Sequence, residues 1–137
     1  MKVAVKTGTI EQTDAQSAVK TCPSGKKLTI LSLATQTEAN LAVSSGQADV
    51  GFLDSQIAGY VVAHSKGAFK LIGSAINVAP YGIATPKTPA GKGLAVAIQK
   101  AIKTLIANGT YGAILKQWGV SAGALPVGKV RLDGALS

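Results

Sequence analysis

Apolar residues in this chain come first in short unbroken runs and later at helical spacing. Val3, Ala4 and Val5 open it as a run of three that reads as a strand. Gly8 interrupts, and Thr9 stands where a helix would begin. From Thr9 to about Thr21 the spacing is helical: Ala15, Ala18, Val19 and Cys22 fall at i, i+3, i+4 and i+7. Thr9 and Gln12 have the separation of a capping box. Pro23-Ser24-Gly25 then breaks the chain, and Leu28–Leu33 reads as a strand. Thr37 opens a short helix that runs through Ser45, and Gly46 suits its end. Ala48–Leu53 is the next strand and delivers Asp54. Ser55–His64 is predicted helical, with Ile57, Tyr60 and Val61 on one side.

Two further strands are predicted at Phe69–Ile72 and at Tyr81–Thr85, the latter bracketed by Pro80 and Pro86. Beyond them the pattern becomes helical. Leu94, Ile98, Ala101, Ile102 and Leu105 repeat through a helix from about Gly91 to Asn108. Thr110 is placed to cap a second helix with an inner face of Tyr111, Ile114, Leu115 and Trp118. The tail, residues 121–137, has no period and reads as a loop or surface strap. Strands alternating with helices imply an α/β fold with a mainly parallel, helix-covered sheet.

Composition narrows the chemistry. The chain has 137 residues, 47% of them apolar but only 4% aromatic, so its core must be built from Ala, Val, Leu and Ile. No apolar run approaches the roughly 20 residues of a membrane span. No basic-then-apolar signal sequence follows Met1, which read literally makes the chain cytoplasmic. The net charge of +8 raises nucleic acid as a partner. The lysines are scattered, however, and Arg131 is the sole arginine. Base reading favours arginine and stacking needs aromatics, so no nucleic-acid role is expected. Cys22 is alone and forms no intrachain disulfide; it reads as a small buried thiol. With one Cys and one His, His64, a zinc site is not expected. No cofactor is called for.

Ligands of parallel sheets sit at the carboxyl ends of the strands. Gly8-Thr9 follows one strand and Asp54 ends another, so both are expected at one crevice. The turn offers N–H groups and a hydroxyl at a helix N-terminus, which suit an anion. Asp54 offers a carboxylate, which suits an ammonium. Together they suit a zwitterion such as an α-amino acid. Asp54 is equally suited to capping the helix that starts at Ser55 or Gln56, and one carboxylate can serve both roles.

Four stretches, KVAVKTGT, GQADVGFLDSQIAGY, PYGIATPK and ANGTYGAILKQWG, carry a resemblance. In this order, over about Lys2–Gly119, they resemble the second half of the polar amino acid-type solute-binding proteins of bacterial ABC importers. The resemblance implies one lobe of a periplasmic-binding-protein-like fold plus the C-terminal helices of the other lobe. Residues 1–80 would be the second, ligand-binding lobe. Residues 81–120 would be a return strand and two helices that pack on the first lobe, and 121–137 the tail.

By motif, Thr9 and the backbone after it would hold the α-carboxylate and Asp54 the α-amino group, with Gly8 in the turn and Lys6 beside the crevice. Ile10 departs from the small or hydroxylated residue usual there, which keeps an N–H and loses a side-chain hydrogen bond. The first lobe, with its arginine for the carboxylate and its aromatics around the ligand, has no counterpart. Leu94, Ile98, Ile102, Ile114 and Trp118 would then need another cover. Folding back, a homodimer by segment exchange, or a separate chain would supply it.

The implied partners are an amino acid and a membrane permease. The implied location is the periplasm, or the cell exterior on a lipid anchor in Gram-positive bacteria. A non-binding fragment or engineered fold unit is the second reading. An enzyme of dehydratase or murein lyase type is the third, with Asp54 and Glu11 as the placed carboxylates; no enzymatic role is expected.

Overall fold

The structure, a computed structural model, describes residues 1–79 and 81–132. Pro80 and residues 133–137, part of the expected tail, lie outside the described residues. The chain divides into two units, Met1–Lys70 and Leu71–Ser137.

The first unit is α/β. Its elements are β1 (Lys2–Lys6), α1 (Ile10–Lys20), β2 (Thr29–Leu33), α2 (Gln36–Ser44), β3 (Val50–Gly51) and α3 (Ser55–His64). The three strands form one parallel sheet in the order β2-β1-β3. β1 is central, which is why Val3, Ala4 and Val5 are all buried and why its run has no polar break. Side chains alternate across the sheet. Val3 and Val5 join Ala15 of α1 on one face, with Leu28, Ile30, Val50 and Phe52 around them. Ala4 joins Ala39 and Ala42 of α2 and Ala48 on the other, flanked by Leu31, Leu33 and Val43. The register repeats this division, since Val3 pairs with Ile30 and Ala4 with Leu31.

Helix boundaries follow local chemistry. α2 starts one residue before the expected Thr37, because Thr35 and Glu38 form a reciprocal capping box. The inner face of α1 differs from the expected one. Its first two turns make the contact, burying Glu11 and Ala15, while Ala18 and Val19 are exposed and Cys22 is half-buried.

The expected strand Ala48–Leu53 contracts to Val50–Gly51. Ala48 gives its N–H to Ala42 O at 2.8 Å, and Asp49 closes on Lys2 with its side chain as well as its backbone, at 2.6 and 2.9 Å. Those bonds hold the strand's first residues out of a regular ladder. Neither Phe69–Ile72 nor Tyr81–Thr85 is a strand: both lie outside helices and strands, and among the described residues the sheet ends at β3 with no neighbour beyond it.

The second unit holds α4 (Pro89–Ala107) and α5 (Thr110–Gln117), followed by short 3-10 turns at Ser121–Gly123 and Val127–Lys129. α4 begins before the expected Gly91 because Thr88 caps it and Pro89 occupies its first position, where no N–H is needed. Gly91 packs so closely on the preceding loop that a Cβ there would stand 2.0 Å from Pro86 O. Thr110 does not cap α5. Gly109 occupies the cap position at φ +82°, and the Asn108 side chain accepts the Thr110 N–H at 3.0 Å.

The tail's described part makes hydrogen bonds to both helices of this unit. Gln99 Nε2 donates to Val130 O, and the Leu125 N–H donates to the Tyr111 hydroxyl. Along α4, Ile98, Ile102 and Ile106 are half-buried while Leu94 is exposed. On α5, Tyr111 and Leu115 are half-buried while Ile114 and Trp118 are exposed.

Candidate functional site

The candidate site lies wholly within the first unit, at the carboxyl edge of its sheet. β1 and β3 are neighbours there. The chain leaves β1 towards β2 on one side, whereas β3 lies on the other. Neighbouring strands whose connections diverge leave a crevice beyond their carboxyl ends, the usual place for a ligand in such sheets. The turn Thr7-Gly8-Thr9 follows β1, and Asp54 follows β3 by three residues. The structure therefore brings the expected residues to adjacent strands at one edge. α2 also starts at this edge, after β2, so three helix N-termini share it.

The turn after β1 is tightly made. Gly8 has φ +78°, a left-handed conformation that glycine adopts without penalty. The Thr9 hydroxyl donates to Lys6 O at 2.9 Å and accepts the Gln12 N–H at 3.4 Å. Gln12 does not complete a standard capping box. Its Oε1 accepts the Gly8 N–H at 2.9 Å, and its Nε2 donates to Ser32 Oγ on β2 at 3.0 Å. Gln12 thus ties the β1–α1 turn to the neighbouring strand. Sequence spacing identified it as a cap residue only; nothing local to it announces a bond to a strand twenty residues away.

Lys6 ends β1 and is exposed, and Ile10, the first helical residue, is 64% exposed. Glu11 beside it is only 8% exposed.

Asp54 stands at the cap position of α3 with backbone angles φ −50° and ψ 138°, but its carboxylate makes no cap hydrogen bond. Its carbonyl oxygen accepts the Ala58 N–H at 2.9 Å instead. The side chain is exposed at the crevice edge. Of the two roles open to it in the sequence, the structure does not use it as a cap.

Among the described residues, no three of His, Cys, Asp and Glu gather as metal ligands do. None of the described helices is long and apolar enough to cross a membrane. His64 stacks on Tyr60 at 4.1 Å and its Nδ1 bonds Tyr60 O at 2.9 Å, which places it at the far end of α3, away from the turn residues.

No family model matches the chain, and no solved structure matches it. A curated relative, the arginine-binding protein ArgT of Corynebacterium glutamicum, is 32% identical over 128 residues. The similarity takes in 91% of this chain and 41% of the relative, so the chain spans less than half of that protein's length.

Proposed function

We propose that this chain is the ligand-binding half of an amino acid-binding component of an ABC importer, acting outside the cytoplasmic membrane and without catalysis. Similarity to an arginine-binding protein supports that class. The observation that carries the reading is the juxtaposition of the Gly8-Thr9 turn and the uncapped Asp54 carboxylate on adjacent strands. The backbone N–H groups of Thr9 and Ile10 and the α1 dipole would hold an α-carboxylate, and Asp54 would hold an α-ammonium. Lys6 flanks them. In this reading residues 1–80 form the binding lobe, residues 81–120 pack on a first lobe, and a membrane permease is the partner.

A panel of amino acids, arginine first, tests this by thermal shift and titration calorimetry. A ligand at a hundred times its Kd stabilises by about 2.7 kcal/mol. Asp54→Asn is expected to abolish the shift while leaving the unliganded melt within about 0.5 kcal/mol, since the carboxylate caps nothing. Absence of any shift in a folded sample overturns the binding reading.

One observation favours a second reading, a fold unit that binds nothing. The Gly8 N–H and the Thr9 hydroxyl proton are both already engaged within the turn. On that reading Gln12→Ala, which releases the Gly8 N–H, leaves the chain as inert towards amino acids as before.

A further inference from the structure

The sheet of the first unit is open beyond β3. Only Val50 and Gly51 pair, and they pair on one side alone. The Ala48–Leu53 stretch carries none of the usual edge protection of lysine or proline. Elsewhere in the same chain is a segment with the opposite deficit. Gly82-Ile83-Ala84-Thr85 has strand-type sequence and belongs to no strand, and Ile83 is 65% exposed.

We propose that two copies of this chain associate, the 82–85 segment of each adding as a strand to the β3 edge of the other. A foreign partner would satisfy either the open edge or the unpaired strand. A second copy satisfies both, twice, and closes on itself as a two-fold dimer. Apolar residues that precede the segment in the chain are exposed as well: Leu71, Ile72, Ile76 and Val78 are all more than 60% exposed.

Net charge opposes the pairing, since each copy carries +8. Salt screens that repulsion, so the dimer tightens as ionic strength rises, the reverse of an association held by ion pairs. The proposal depends on the fold and not on the ligand, so sedimentation and amino acid titration can fail independently.

The experiment is sedimentation equilibrium of the full chain from 1 to 100 µM, in low and high salt. Dimers are expected, with a lower Kd in high salt. Ile83→Pro removes an N–H from the added strand, and because 82–85 lies in no helix or strand it leaves both units folded by circular dichroism. It is expected to weaken the dimer at least tenfold. A second test places Gly51→Cys and Ile83→Cys together in a Cys22→Ser background. Mild oxidation is expected to give a covalent dimer on a non-reducing gel. A wild-type monomer at 100 µM, a dimer indifferent to Ile83→Pro, or a disulfide formed within one chain each overturns the proposal.

Discussion

The two units are built from similar material and end in opposite conditions. The first buries Val3, Ala4, Val5, Ala15, Ala39, Ala42 and Ala48; in the second, Gly91 alone is buried among the described residues. Yet α4 shows the clearest helical period in the chain and α1 one of the weakest. Periodicity states which face of a helix is apolar. It does not state that anything covers that face. In the first unit a central strand supplies cover on both sides, and small side chains suffice. In the second, two helices and a strap leave Leu94, Ile114 and Trp118 outside.

The comparison can be tested by truncating side chains on each side of it. Val5 is wholly buried, and Val5→Ala is expected to cost about 2 kcal/mol and to lower the melting temperature of the first unit by roughly 10 °C, read by calorimetry. Gly91→Ala probes the second unit's one tight contact. Its Cβ would meet backbone at 2.0 Å, so the Pro86–Thr88 loop must move. A loss of about 1–3 kcal/mol is expected, seen as faster amide exchange in the first turn of α4. Thr35→Ala removes half of the capping box and should cost about 1 kcal/mol, with exchange rising at Glu38. Leu94→Ala is expected to change stability by less than about 0.5 kcal/mol, despite deleting a large apolar side chain. A loss above about 2 kcal/mol there would show that α4 is covered after all and would end the contrast.

The sequence pattern carried the order of the first six elements, the two last helices and the placement of Thr9 and Asp54 at one edge. Three features escaped it for physical reasons. The strand pattern at 69–72 and 81–85 is genuine, but a strand exists only with a neighbour, and the sheet stops at β3. The early cap at Thr35 depends on Glu38 reaching back to the Thr35 N–H, a pairing hidden by a second threonine at Thr37. Gln12 binds across to Ser32, a contact set by strand order and invisible to local spacing. At the site, spacing could suggest that Asp54 caps α3; only geometry shows that it does not.

The fully buried members of the layer between α2 and the sheet are all alanines, Ala4, Ala39, Ala42 and Ala48, with Leu31, Leu33 and Val43 only half-buried around them. Methyl groups bring the helix backbone close, but they remove little hydrocarbon from water per residue. The heat capacity gained on unfolding scales with that hydrocarbon, ordinarily about 12–15 cal/mol/K per residue. For the first unit it should fall below this range. Its stability curve will then be shallow and broad, changing little between a cold room and body temperature, so that cooling neither rescues nor harms the fold.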